Sequence, residues 1–376
     1  MKKICLILVV GIVTGCFGSP ALIEVRQGVY AVNEVADLPL PTSGYDVYIV
    51  GEMHGLHEIS LLFLEYLKML HESTGLQIVA LEEDQSYEED ANEYISGATD
   101  ILRVDLCLRA NILKGIRWYN ETLPENEKIY VHLVDLDSPL SAIHEHILDI
   151  HEEIGAGGID IPSLEEFEEW NEDDARILVE QLKEAAKDPE SINQLETVEI
   201  SLSYYYAGNR IEIGPVVGFQ SDAPIREEAI TQNMQYLVKE LQGQPVLALF
   251  GSWHAQKSLA LINPSAPDCK SWAMRLTESG VSIYSVFARG LSGKGYWRDE
   301  RYDVELNAHR VQFADGTTLS TVLGDAPDYS ILYVDLRVDE NSSALLGNPF
   351  RDIPAGEIYD AFVVFRDVTP MENACS

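Results

Sequence analysis

Basic residues are scarce in this chain. Lysine and arginine together number 26 against 62 aspartates and glutamates in 376 residues, a formal charge of −36. A surface of that sign repels nucleic-acid phosphates and anionic headgroups, which excludes nucleic acid as an expected partner. The acidity either serves solubility, with self-repulsion screened by salt, or suits a cationic ligand; composition leaves both open. Cysteine is also scarce: the five present include no C-x-x-C pair, which argues against a disulfide-stapled fold and a zinc ribbon. No period of about 20–50 residues recurs, so repeat architectures are set aside. The G-x-S-x-G elbow of serine hydrolases is missing too.

The first segment present is a targeting signal. Lys2 and Lys3 precede the apolar run Ile4 to Val13, too short to span a bilayer but suited to a signal peptide. The run ends in Val13-Thr14-Gly15-Cys16, a lipobox pattern in which small residues expose the bond before the cysteine. Cleavage there leaves Cys16 to carry a diacylglyceryl group, and each added acyl CH₂ strengthens anchoring by about 0.8 kcal/mol. No later apolar run is long enough to cross a membrane. The chain therefore reads as a signal peptide over 1–15, a tether and leading strand over 16–44, and a domain over 45–376. The expected location is extracytoplasmic, on a membrane reached through Cys16.

Apolar residues make up 46% of the chain and aromatics 9%, enough for a substantial core. From Tyr45 a β-α-β-α-β rhythm begins. Strands are expected at Tyr45 to Val50, Gln77 to Leu81 and Lys128 to Leu136, with a helix from about Leu56 to Ser73 closed by Gly75. Near-continuous apolar strands of this kind fit burial on both faces, so the fold class is α/β: a mostly parallel central sheet flanked by helices. Residues 138–221 differ, being acidic and helical without strong strands (Leu164-Glu-Glu-Phe-Glu-Glu-Trp170 is typical), and read as a helical insertion. The sheet pattern resumes with a helix from Asp222 to Gln242 and strands at Pro245 to Phe250, Ser282 to Ala288 and Tyr359 to Phe365. Residues 291–358 read as loop-rich, with a hairpin around Arg310 to Thr318.

Open α/β sheets bind ligands beyond the carboxyl ends of their strands. Those ends carry Gly51-Glu52-Met53-His54-Gly55, Leu81-Glu82-Glu83-Asp84, Asp135-Leu136-Asp137 and Gly251-Ser252-Trp253-His254. Two histidines in Gly-flanked turns and several carboxylates thus reach one edge. A carboxylate against His54 would fix its tautomer and prepare it as a general base. His54, His57 and Glu58 could instead cluster as metal ligands, with His254 as a fourth, although this spacing is not a strong zinc signature. Arg226 sits in the first turn of a helix that Asp222 caps and Pro224 opens, on the face of Ile230, Asn233 and Leu237. If that face meets the sheet, Glu52 or Glu82 is its natural partner; if not, Glu227, Glu228 or solvent serves. The remaining strand and helix histidines, His71, His132, His144, His146 and His151, read as structural.

These blocks resemble the erythromycin esterase-like superfamily, which also holds ChaN-type haem-binding lipoproteins and Tiki-type metalloproteases. Gly51 to Glu58 is similar to the esterase motif G-E-x-x-H-G-x-x-E, and Val79-Ala80-Leu81-Glu82 to its second block. Trp118-Tyr119-Asn120 running into Tyr130 to Asp135, Arg226-Glu227-Glu228-Ala229 with Asn233, and Tyr359 to Phe362 with Thr369-Pro370 resemble further blocks. Two departures point to the other branches: only Met53 separates Glu52 from His54, and Gly251 stands where the esterases carry a first histidine. The resemblance implies His54 as the base that activates water, Glu82 as its required partner, and Glu52, Arg226 and His254 completing the site. It implies a cofactor-free hydrolase of a small-molecule ester or similar acyl bond. The alternatives it carries are a haem- or iron-binding lipoprotein and a divalent-metal protease.

Overall fold

The structure, a computed structural model, describes residues 21–207, 223–241, 243–260, 268–297, 300–346 and 352–371. The lipobox and Cys16 lie outside the described residues, as does Asp222. Ten strands form one sheet. In chain order they are β1 Leu22–Arg26, β2 Val29–Val32, β3 Val47–Glu52, β4 Ile78–Asp84, β5 Tyr130–Asp135, β6 Val246–Gly251, β7 Ile283–Trp297, β8 Glu300–Glu305, β9 Ile331–Asp335 and β10 Ala361–Val368. They lie in the order β1-β2-β9-β10-β7-β3-β6-β4-β5, with β8 paired to the far end of β7.

The six strands from β10 to β5 run parallel, and β2 and β9 extend them as an antiparallel edge. β3 and β6 are buried at every position, as expected of strands covered on both faces. The α-helices of the described residues are α1 His57–Thr74, α2 Glu88–Ser96, α3 Ala110–Asn120, α4 Leu140–Glu153, α5 Leu164–Phe167, α6 Glu172–Ala185, α7 Pro189–Tyr206, α8 Ala223–Glu240, α9 Trp272–Glu278, α10 Leu319–Asp325, α11 Asp339–Ser342 and α12 Ala355–Ile358. Helix α1 buries Ile59, Leu62, Phe63, Tyr66, Leu67 and Leu70, a stripe at helical spacing, and with α2 and α3 covers one face of the sheet. Gly75 ends it in the left-handed region (φ 73°), its N–H bonded to His71 O at 2.8 Å. Helices α8, α9 and α10 cover the other face.

Helices α4 to α7 form the acidic insertion and hold a core of their own around Ile147, Phe167, Leu182 and Val198. Among the described residues no helix is long and apolar enough to cross a membrane. The loop-rich reading of 291–358 needs correction. β7 continues to Trp297 and turns back as β8, and β9 fills the sheet between β2 and β10. Gly290, Gly293 and Gly295 thin the apolar pattern of β7, while β9 offers only the four-residue run Ile331-Leu332-Tyr333-Val334. Where a hairpin is expected around Arg310 to Thr318, the structure has an isolated antiparallel bridge, Gln312–Thr318, and no pair of strands.

Candidate active site

The chain runs from β3 outward to β4 and β5, then returns to insert β6 between β3 and β4. Because these strands are parallel, their carboxyl ends form a row at one edge: Glu52 on β3, Gly251 on β6, Glu82 on β4 and Asp135 on β5. All three carboxylates are buried. Helix α8 crosses this edge and delivers Arg226 and Glu227; its Ile230 and Leu237 pack into the core, and Asn233 donates to Val134 O at 3.1 Å.

At the β3 end, His54 Nδ1 lies 2.9 Å from Glu52 Oε1. The same oxygen takes a hydrogen bond from Arg109 Nη1. Burial pushes the Glu52 carboxyl up, but the Arg109 guanidinium and His54 outweigh it and hold it at about 2. An ionised Glu52 fixes the hydrogen on Nδ1 and leaves Nε2 as the acceptor. The His54 ring stacks on Trp297 at 4.1 Å, its backbone oxygen accepts from Tyr302, and its side chain is 31% exposed, so solvent reaches it. Gly55 follows at φ 78°; a side chain there would meet Tyr296 O at 1.7 Å, so only glycine lets the β7–β8 hairpin close over this loop.

At the β6 end, His254 is held from both sides. Nδ1 faces Glu227 and Nε2 lies 3.2 Å from Glu82 Oε1. Burial lowers the pKa of this imidazole, but the two carboxylates raise it to about 10, so it is a cation at neutral pH. Arg226 joins Asp135 through Nε, at 3.0 and 2.9 Å, and Glu82 through Nη2, at 2.6 Å. Its Nη1 lies 3.3 Å from His254 Nε2. Both atoms carry hydrogens, so that contact is no hydrogen bond and an Nη1 hydrogen stays available. Glu82 also accepts from Gly251 N–H at 2.6 Å. Burial opposes its ionisation, yet His254 and Arg226 hold it well below the usual carboxylate range. Next to it, Glu83 is pushed by burial up to about 7, although Arg109 donates to it at 2.7 Å.

The two ends meet at Gly251. A Cβ at that position would lie 3.0 Å from His54 Nε2 and 3.5 Å from Glu82 Oε2, so the imidazole and the carboxylate face each other across a glycine. All five residues picked out in the sequence thus come together; the expected pair of Arg226 with Glu82 is present, and that of His54 with Glu82 is not. Glu52, not Glu82, bonds His54; Glu82 serves His254 and Arg226. Arg226 points inward as expected, to Glu82, one of its two expected partners, and also to Asp135. Glu227, read as a surface partner for Arg226, is fully buried and bonded to His254. The proposed set His54, His57, Glu58 and His254 is divided: Glu58 is turned away to Thr369 N and Oγ1, at 2.9 and 2.8 Å. Among the described residues no three His, Cys, Asp or Glu side chains are grouped to hold a metal ion. Arg109 has no local sequence signal, because only the tertiary placement of the short 3-10 helix Val104–Arg109, just before α3, brings it to Glu52. Of the other histidines, His71 meets Tyr119, His132 Glu88, His146 Asp137, and His144 and His151 backbone carbonyls.

Neither a protein-family model nor a curated protein matches the sequence. Solved structures do. A Bacillus cereus protein aligns at 17% identity over 90% of this chain and 93% of its own, with a TM-score of 0.64. A succinoglycan biosynthesis protein aligns at 14% identity over 92% and 96%, with a TM-score of 0.66. A histidine-to-asparagine mutant of erythromycin esterase EreC, in its open conformation, aligns at 12% identity over 88% and 93%, with a TM-score of 0.61. The chain has the erythromycin esterase-like fold. At such identities the likeness extends to the fold, and an activity has to be argued from the side chains at this edge.

Proposed function

We propose that the protein is a hydrolase in which His54 activates water against an ester or similar acyl bond. The observation that carries this reading is the difference between the two histidines. His54 has one nitrogen fixed by an ionised glutamate and the other facing a solvent-reached edge, whereas His254 is charged and locked. His54 Nε2 takes a proton as water adds to the acyl carbon. The carbonyl oxygen becomes an oxyanion, and the spare Nη1 hydrogen of Arg226, beside cationic His254, is placed to stabilise it. When the C–O bond breaks, the proton on His54 Nε2 passes to the leaving alkoxide, giving an acid and an alcohol.

The test is hydrolysis of a panel of small esters by purified protein, with and without a chelator. Chelator-resistant turnover that His54→Ala lowers by roughly 10²–10⁴-fold is expected. Stoichiometric haem uptake with a strong Soret band and no esterase activity overturns the reading, as does activity restored only by a divalent ion. We further propose that the protein is a lipoprotein held to a membrane through Cys16. Cys16→Ser should move it from the membrane fraction to the soluble one, and unchanged retention would sink that proposal.

A further inference from the structure

Among the described residues Arg289 is a cation without an ion-pair or hydrogen-bond partner, in a chain that has 62 acidic residues for 26 basic ones. Its neighbours at the sheet edge, Arg109 and Arg226, are each tied to two carboxylates. Arg289 lies on β7 two residues beyond Phe287, which pairs with Gly51 on β3, so it stands at the level where β3 delivers Glu52 and His54. It is half-buried, and its Nε is shielded from solvent with no hydrogen-bond partner. Among the described residues no carboxylate forms an ion pair with it. The polar groups that act on it are the phenols of Tyr302 and Tyr359. Tyr302 donates to His54 O, and Tyr359 donates to Ser252 O at 2.8 Å. The guanidinium is therefore flanked by two side chains that fasten the two histidine-bearing loops. Burial without a counter-charge pulls its pKa down. Such a cation is costly to keep unless something supplies the missing anion.

We infer that Arg289 recognises an anionic group on the substrate, a carboxylate or phosphate carried near the scissile acyl bond. The inference deepens the hydrolase reading and rests on it for the word substrate. A guanidinium presents a planar fork that matches two oxygens of either anion. The Trp297 ring, further along the same strand and stacked on His54, offers an apolar wall for the rest of the molecule. An ester with an acidic substituent would then bind with its anion at Arg289 and its carbonyl between His54 and Arg226.

The experiment compares size-matched aryl esters that are neutral, carboxylate-bearing or phosphate-bearing, using wild type, Arg289→Gln and Arg289→Lys. Wild type is expected to favour an anionic ester, and whichever anion it favours identifies the group. Arg289→Gln should reduce the anionic-to-neutral ratio of kcat/KM by about tenfold to a hundredfold, mainly through KM, and Arg289→Lys should restore part of it. A ratio unchanged by Arg289→Gln overturns the inference. A second arm measures binding of benzoate and of inorganic phosphate by equilibrium dialysis in wild type, His54→Ala and Arg289→Gln. Binding kept by His54→Ala and lost in Arg289→Gln supports Arg289 even if no ester is hydrolysed, in which case only the hydrolase reading falls. Equal binding by wild type and Arg289→Gln overturns the anion site.

Discussion

His54 and His254 stand at the ends of neighbouring parallel strands, in similar Gly-containing turns, and the fold gives them opposite characters. His54 has one carboxylate, one nitrogen without a hydrogen-bond partner among the described residues, an aromatic cover and access to solvent. His254 has a carboxylate on each nitrogen and is buried, and the charge so enforced keeps it protonated to about pH 10. The number of carboxylates facing a ring, rather than the ring's place in a motif, sets whether it can accept a proton. A histidine with both nitrogens engaged can only hold charge, and one with a single nitrogen engaged can move it.

The comparison is broken most strongly by removing each ring in turn. His54→Ala should abolish hydrolysis by two or more orders of magnitude while leaving the thermal midpoint nearly unchanged, because the ring is partly exposed and Glu52 keeps the Arg109 cation. His254→Ala should lower both activity and stability, since Glu82 and the fully buried Glu227 lose a cation. If thermal scans show the two variants equally stable, the distinction drawn between the rings fails. A smaller effect is expected from Glu227→Gln, which keeps a hydrogen bond but removes the charge. Breaking a buried pair costs about 3–5 kcal/mol, and the amide should recover part of that in denaturant unfolding.

The pH dependence of stability sharpens the contrast. The His254 pKa is about 10 folded against an ordinary 6.5, so its stabilising contribution is complete below about 6.5 and is lost as pH rises from there through 10. Glu52 is held at about 2 against an ordinary 4.5, so its contribution is present above 4.5 and is lost as pH falls toward 2. Urea midpoints across this range should fall on both sides. Glu227→Gln should move the alkaline decline to lower pH and leave the acid side alone. The mildest change is Gly251→Ala, whose methyl would press on His54 Nε2 at 3.0 Å. A several-fold fall in kcat with little change in thermal midpoint is expected, and unaltered kcat would show that this nitrogen takes no part.

Much of the fold was legible because it is local. Val47 to Val50 and Val246 to Phe250 are apolar runs bounded by glycine, and the stripe from Ile59 to Leu70 has helical spacing. The strand ends carry the site, and general rules for parallel sheets say that strand ends are where to look. What was missed is non-local or weakly patterned. Arg109 reaches Glu52 only through the placement of the 3-10 helix Val104–Arg109, and β9 is hidden because four apolar residues among turns look like many loops. Trp297 and Tyr302 reach His54 because β7 turns back on itself over Gly55.

By itself the sequence determined the class of sheet, the edge that holds the polar groups and the identities of five residues placed there. These follow from hydrophobic period and from glycines at fixed offsets, which act within one element. Only the tertiary structure decided the pairing. Inserting β6 between β3 and β4 sets His254 beside Glu82, and the pitch of α8 puts Glu227 on one nitrogen while Arg226 reaches Asp135. A protonation state depends on the charges within a few ångströms, and those charges come from segments as far apart in the chain as Glu82 and His254.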